Sequence, residues 1–257
     1  MRRATGWRSV FRGLFVLVLL GWGGVDSHAQ TGGPDRTGPS EAPSPFCAEP
    51  PGSSSSVDLQ GLALVYCDAS AGIAASLRAA HVSARPVFFG AVPTAWLGAG
   101  LTDDLSAGAA AYRLTLSQGL TYGLVLGAKR AVGRPRPYVD HSVRPRSDRH
   151  KKPRPSDARL SFPSGHAGVS AAIATSWSLS YPRWYVVAPS ALWATGVAVS
   201  RVYLGVHYPS DILAGTVLGA GVALLVHQLR ASITPSFLQE TSTQGGRVPP
   251  VGLRIQF

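Results

Sequence analysis

Apolar residues dominate five stretches of the chain, each long enough for several helical turns. They cover residues 86–101, 107–128, 165–181, 184–202 and 212–229. None shows the strict alternation of apolar and polar positions that is typical of a half-buried strand. A mildly amphipathic segment at 57–82 precedes them and predicts a further helix, packed on the others or lying at a membrane surface. The pattern predicts an all-α bundle of about five or six apolar helices.

Small residues recur on two of these predicted helices. Glycines stand four residues apart in the second stretch (Gly119, Gly123, Gly127) and in the fifth (Gly215, Gly219). Stacked small residues let helices approach closely in lipid, which favours a membrane-embedded bundle. The alternative is a buried helical hairpin of a soluble protein, because several stretches are shorter than the roughly 20 residues of an ideal span.

The ends of the chain differ in composition from this helical part. Residues 1–29 contain four arginines, a short apolar stretch and then the small residues Ser27 and Ala29. This order predicts a signal peptide that is cleaved after Ala29. The alternative is an uncleaved anchor, and either one exports the following chain. Residues 30–56 are rich in Gly, Pro and Ser and predict a linker. We expect the helical domain at 57–232 and a polar tail at 233–257, whose last residues form a short strand or a disordered tail.

The two cysteines, Cys47 and Cys67, have no neighbours of the kind that bind metals. In an oxidising compartment they could form a disulfide ahead of the first apolar helix. Two unpaired thiols fit the sequence equally well, so both interpretations stay open.

Basic residues are concentrated in one loop. Eleven of the 24 Lys and Arg side chains, which give the chain a net charge of +11, lie between Lys129 and Arg159. No aromatic ladder or nucleic-acid motif accompanies them, so we do not expect nucleic acid as a partner. The loop at 129–162 contains five prolines and few aliphatic residues. It is therefore not expected in the core, and we predict a mobile flap near the functional site that faces anionic lipid or a phosphorylated substrate.

Three short motifs carry candidate chemistry. They are Lys129 with Arg136-Pro137, the sequence Pro163-Ser164-Gly165-His166, and Arg201 with His207 and Asp211. A carboxylate near a histidine can hold one ring nitrogen and leave the other available as a nucleophile or base. Lysine and arginine side chains bind phosphate, and backbone N–H groups at a helix start add to such a site. All three motifs fall at helix ends on one side of an up-and-down bundle, which places the active site at one end.

In order and spacing, these motifs resemble the signature of the type 2 phosphatidic acid phosphatase superfamily. The resemblance covers residues 129–211 and implies a phosphatase that uses no metal and no other cofactor. It implies that His207 attacks phosphorus, that Asp211 orients His207, and that His166 acts as the general acid and base. It further implies a phosphate-binding set of Lys129, Arg136, Ser164, Gly165 and Arg201. Asp103-Asp104, which could suggest a metal pair, is predicted to cap a helix at the opposite end.

The substrate is expected to be a phosphorylated lipid handled at a membrane, with the site facing the periplasm or the exterior. The basic loop argues for the opposite orientation, because Lys- and Arg-rich loops usually stay in the cytoplasm. Alternatives are a secreted acid phosphatase of broad specificity, a vanadate-dependent haloperoxidase, and a non-catalytic anion-binding or transport protein. Arg130 and Arg134 are candidates for contacting a second phosphate or a headgroup, with a solvated role as the default. The remaining histidines are expected to be solvated or to pack, and the oligomeric state is left open.

Overall fold

The computed structural model describes residues 44–48, 52, 55–67, 70–147 and 155–239. All regular structure within these ranges is helical, which confirms the all-α fold class. The predicted signal peptide at 1–29, most of the linker and the end of the tail lie outside the described residues. The domain boundaries therefore stay predictions.

The described helices follow one another in a simple order. They are α1 (Pro45–Ala48), α2 (Val57–Cys67), α3 (Ala71–Thr102), α4 (Leu105–Val132), α5 (Pro137–Asp140), α6 (Pro155–Ala158), α7 (Gly165–Ser180), α8 (Trp184–Tyr203), α9 (Pro209–Gln228) and α10 (Arg230–Ile233), with a 3-10 turn at Ser236–Leu238. The five long helices α3, α4, α7, α8 and α9 form the bundle, and they match the five apolar stretches.

Helix α7 lies at the centre of this bundle and packs against α4, α8 and α9. Residues 167–174 are all buried, and most of them are Ala, Gly, Ser or Val. Small side chains bring the backbones of neighbouring helices close together. The start of α7 is thereby held against the start of α9, where His207 and Asp211 lie.

Two glycines of α9 make this close approach possible. A Cβ atom on Gly215 would collide with the carbonyl oxygen of Ser164, and one on Gly219 would collide with that of Gly168. The predicted role of these glycines in helix packing is confirmed. The same prediction is wrong for the glycine series of α4, because a Cβ on Gly119, Gly123 or Gly127 would meet open space among the described residues.

The beginning of the bundle differs from the prediction in its helix boundaries. The single helix expected at 57–82 is two helices, and the second, α3, continues through Pro86 and Pro93 to Thr102. Arg78 is polar, so the sequence did not indicate that one helix runs from Ala71 to Thr102. Ala80 and Ala84 of α3 pack against Val197 of α8, so burial against a neighbouring helix extends α3 toward its N-terminus.

The disulfide left open by the sequence is present, and it joins Cys47 of α1 to Cys67 of α2. Near it, the aromatic rings of Phe46 and Tyr66 pack edge to face with centroids 6.2 Å apart. These contacts fix α2 beside the basic loop, since the Tyr66 hydroxyl donates a hydrogen bond to the carbonyl of Arg144.

The basic loop is packed more closely than its composition suggests. Val143, Ser147 and Ser161 are buried, and the Arg146 guanidinium lies 4.1 Å from the ring centroid of Tyr66. The expectation that the loop stays out of the core is therefore wrong for its described parts. Residues 148–154 lie outside the described residues, and the predicted flap stays a prediction.

Few of the described helices are long and apolar enough to cross a membrane. Only α9 meets this test by itself, and α2 with α3 meets it as one bent pair.

At the end of the bundle away from the motifs, the Asp104 carboxylate accepts hydrogen bonds from the backbone N–H groups of Ser106 and Ala107. The prediction of a helix cap there is confirmed.

Candidate active site

His207 occupies the N-terminal side of α9 and is almost completely buried, with 3% of its surface exposed. Its Nδ1 lies 3.4 Å from Asp211 Oδ2, and its Nε2 lies 3.3 Å from the Nη1 atom of Arg136. A carboxylate accepts hydrogen bonds and a guanidinium donates them. We therefore assign the proton to Nδ1 and leave Nε2 unprotonated, with its lone pair toward Arg136, which is the tautomer that a nucleophilic histidine requires.

Arg136 reaches His207 because three further contacts fix its position. Its Nε donates to the carbonyl of Asp157 at 3.0 Å, its Nη1 donates to the carbonyl of Val206 at 3.0 Å, and its backbone N–H donates to the carbonyl of Ala158. The side chain is buried at 8% exposure. A planar, multiply bonded guanidinium suits a phosphate site, because its orientation is set before the ligand arrives.

Asp211 is completely buried and accepts several hydrogen bonds on its two oxygens. Its Oδ2 accepts from the Ser161 hydroxyl at 2.5 Å and from the backbone N–H of Tyr208 at 2.9 Å, in addition to facing His207. Its Oδ1 accepts from Arg134 Nη1 at 2.7 Å. A buried polar group needs such hydrogen-bond partners, and here they also fix which oxygen faces the histidine.

Lys129 lies near the end of α4 and points toward the second part of the loop. Its Nζ donates to the carbonyl oxygens of Leu160 at 2.5 Å and Ser161 at 3.3 Å. An added Cβ on Gly165 would lie 4.0 Å from the Lys129 Cε. The lysine therefore lies beside the start of α7, as the bundle topology predicts.

Ser164 and Gly165 form the turn into α7. The Ser164 hydroxyl is completely buried and accepts a hydrogen bond from the backbone N–H of Ala167 at 3.5 Å, so the residue caps the helix. Its backbone N–H donates to the carbonyl of Asp211 at 2.9 Å. This bond joins the second motif directly to the third.

The remaining motif residues meet at helix α3. Arg201 Nη1 lies 2.8 Å from Nδ1 of His81, and the ring of His81 lies 6.3 Å from that of His166 between centroids. The ring of Phe88, two turns further along α3, lies 5.5 Å from the His166 ring. Arg201 and His166 thus face the same helix from two sides of the site.

The structure brings into the site three residues that the sequence did not indicate, Asp58, His81 and Ser161. His81 and Ser161 contact motif residues, and Asp58 bonds to Arg134, which also bonds to Asp211. The default solvated role of Arg134 is wrong, whereas Arg130 is exposed as expected.

Of the residues in this network, only Arg134 was a candidate from the sequence, since it stands two positions before Arg136 in the basic loop. The others contact the motifs over long sequence separations, such as 152 residues between Asp58 and Ser210. No local pattern reports such contacts.

The electrostatics of Arg134 follow from its position between two acids. Burial alone would lower the pKa of its guanidinium. The hydrogen bonds and negative charges of Asp58 and Asp211 outweigh burial and raise the pKa of Arg134 above its ordinary value. Arg134 therefore remains a cation at every physiological pH.

Comparison with known proteins agrees with this architecture. Residues 110–234 match the model of the PAP2 superfamily. An undecaprenyl-diphosphatase from Sulfolobus acidocaldarius is 36% identical over 87 residues, covering 32% of this chain and 38% of the relative. A lipid A 1-phosphatase from Rhizobium johnstonii is 38% identical over 103 residues, covering 38% of each protein. The chain thus spans less than half the length of these two relatives.

The crystal structure of Aquifex aeolicus LpxE has the same fold. It aligns with a TM-score of 0.54 at 20% identity, covering 68% of this chain and 97% of that one. The family match contains all eight residues predicted from the three motifs, whereas Asp58 and His81 precede it. The resemblance to the PAP2 superfamily that the three motifs indicated is thus confirmed over residues 110–234, just under half of the chain.

Proposed function

We propose that the protein is a membrane-associated phosphatase that hydrolyses a phosphomonoester or diphosphate of a lipid through a phosphohistidine on His207. The observation that carries this proposal is the arrangement of the His207 ring. Asp211 holds Nδ1, and the guanidinium of Arg136 lies on the Nε2 side. A phosphate bound by Arg136 would therefore lie next to the unprotonated Nε2 of the histidine.

The reaction proceeds in two displacements. In the first, Nε2 of His207 bonds to phosphorus, the bond from phosphorus to the leaving oxygen breaks, and His166 gives that oxygen a proton. Asp211 stabilises the positive charge that develops on the His207 ring. In the second, His166 takes a proton from water, the resulting hydroxide oxygen bonds to phosphorus, and the bond from phosphorus to Nε2 breaks. Inorganic phosphate leaves and both histidines return to their starting states.

Three cations stabilise the charge on the transferring phosphoryl group. Lys129, Arg136 and Arg201 approach the site from α4, the loop and α8, and the backbone at Ser164 and Gly165 adds N–H groups at a helix start. These groups supply the electrostatic stabilisation that phosphoryl transfer requires. We therefore expect turnover in the presence of a chelator.

A lipid substrate fits the outer surface of the bundle. Large apolar side chains face outward on α3, α4, α8 and α9, and Trp184, Phe89 and Leu192 are 81%, 80% and 75% exposed. Extensive exposed apolar surface marks a membrane or partner contact. The names of the two curated relatives also describe phosphates of lipids. The predicted leader favours a site that faces the periplasm or the exterior.

The proposal is tested by release of inorganic phosphate from detergent-purified protein with EDTA present. Phosphatidic acid and a polyprenyl diphosphate serve as substrates, and p-nitrophenyl phosphate serves as a soluble one. We expect release from a lipid substrate by the wild type, and at least about 1,000-fold less by His207→Ala, because the nucleophile is lost.

The matched control is His227→Ala, since His227 lies at the other end of α9. It should retain wild-type turnover. Release from p-nitrophenyl phosphate alone, by protein found in the soluble fraction, would replace the proposal with a secreted acid phosphatase. Release that survives in His207→Ala would refute the phosphohistidine.

A further inference from the structure

The residues that hold Asp211 extend beyond the three motifs. Arg134 lies between two carboxylates, with Nη1 2.7 Å from Asp211 Oδ1 and Nη2 2.7 Å from Asp58 Oδ2. Its guanidinium carbon also lies 4.2 Å from the ring centroid of Tyr208. Contacts on three sides fix the plane of the guanidinium, and that plane fixes the carboxylate of Asp211.

Ser210 completes the network. Its hydroxyl donates to Asp58 Oδ2 at 2.6 Å and accepts from Arg134 Nη1 at 2.7 Å, and its backbone N–H donates to Asp58 Oδ1 at 2.9 Å. Asp58 therefore holds both the arginine and the first turn of α9. The same turn carries Asp211, so a shift of Asp58 would reach the catalytic carboxylate by two routes.

The charges of the network follow a simple balance. A lone arginine beside Asp211 would cancel much of the negative potential that the His207 ring needs when it becomes cationic. Asp58 restores it, because two carboxylates and one guanidinium carry a net charge of about −1. The second carboxylate lets Arg134 orient Asp211 without neutralising its effect on His207.

Asp58 is brought to this place by a helix outside the PAP2 match. It lies in the first turn of α2, which is tied to α1 by the Cys47–Cys67 disulfide. Gly61 of α2 packs so closely on Pro209 that an added Cβ would lie 2.9 Å from the proline Cγ. The contact seats α2 on the first residue of α9.

We propose that Asp58 and Arg134 are positioning residues that hold the Asp211 side chain aimed at His207, which makes α2 part of the catalytic apparatus. The proposal rests on the proposed function for its kinetic consequence. Neither residue belongs to the proposed phosphate-binding set, so we expect their loss to slow the chemical step and to leave substrate binding nearly unchanged.

The test compares Asp58→Asn, Arg134→Gln and the double variant, with Gln60→Ala as the control on an exposed position of the same helix. We expect kcat to fall about 10-fold for Asp58→Asn and about 100-fold for Arg134→Gln, the range seen when groups that orient catalytic ligands are removed. KM should change less than about twofold, and Gln60→Ala should match the wild type. Because Asp58 acts through Arg134, the double variant should be no slower than Arg134→Gln.

Losses that multiply in the double variant, a rise in KM, or an unchanged kcat in Asp58→Asn would each overturn the proposal. A readout without turnover separates it from the proposed function. In spectra of ¹⁵N-histidine-labelled protein, with His207→Ala assigning the signals, Asp58→Asn should shift the ring nitrogens of His207 and leave those of His227 in place. If the wild type shows no phosphatase activity and Asp58→Asn still shifts these signals, the proposed function is refuted and the network is supported. No shift would refute the network.

Discussion

The close packing of α7 on α9 predicts opposite effects for two glycine-to-alanine substitutions. In Gly219→Ala the new methyl group would meet backbone atoms of Gly168 and Ala172, which cannot move without separating the helices. Overpacking of this kind costs about 1–3 kcal/mol, and a collision with backbone lies at the upper end. Alanine regains about 1 kcal/mol of helix propensity over glycine. We expect a net destabilisation of about 2 kcal/mol, since the collision outweighs the propensity.

The matched control is Gly119→Ala, where the added methyl group meets open space on an exposed position of α4. Only the gain in helix propensity remains there, so the free energy of unfolding should rise by up to about 1 kcal/mol. Thermal unfolding in detergent measures both, and a change of 1 kcal/mol shifts Tm by about 2–4 °C for a chain of this size.

The rate of phosphate release is a second measurement of the same contact, because the packing of α7 on α9 also holds Ser164 against Asp211. Gly219→Ala should therefore lose activity at temperatures where it is still folded, and Gly119→Ala should keep it. A Gly219→Ala protein that melts at or above the wild-type temperature would refute the packing argument. An equal fall in both variants would do the same.

Two further substitutions test single contacts. Arg136→Lys keeps the charge but cannot reproduce the fork that joins two carbonyls and His207, so kcat/KM for phosphate release should fall about 100-fold with an unchanged Tm; activity near wild type would show that charge alone suffices. Cys47→Ser opens a loop of 20 residues and should lower the free energy of unfolding by about 3 kcal/mol in thermal melts, an effect that a reductant should reproduce in the wild type and not in the variant. Equal melting of the two proteins without reductant would contradict this expectation.

The sequence predicted the later bundle helices well because their ends are marked locally. Pro209 opens α9 and Ser164 caps α7, so the apolar stretches begin close to the observed helix starts. The start of α3 could not be predicted in the same way. Its first turns are stabilised by burial against α8, a contact between residues more than 100 positions apart, and its own polar side chains gave the opposite impression.

The candidate site likewise contains residues that local sequence patterns predict and residues that only the packing of the helices brings together. Residues with proposed chemical roles lie in short motifs, so their spacing indicated them. Residues that hold them in place had no such pattern, because Asp58 and His81 meet their partners only after the helices have packed. Ser161 lies inside the basic loop, whose charge and prolines indicated an exposed segment, and its burial beside Asp211 depends on the fold of the whole loop.

The motif residues and the residues that orient them lie in different parts of the chain, and both parts bear on the proposed reaction. The family match begins at residue 110, inside α4, and contains every motif side chain. Two of its charged groups are nevertheless oriented from earlier helices, Arg201 by His81 of α3 and Arg134 by Asp58 of α2. In the proposed reaction the matched segment supplies the nucleophile, the acid and the cations, and the preceding helices set the angles at which they meet. Since phosphoryl transfer depends chiefly on positioning and preorganised charge, we expect α2 and α3 to act on the rate of that reaction as well as on the stability of the bundle.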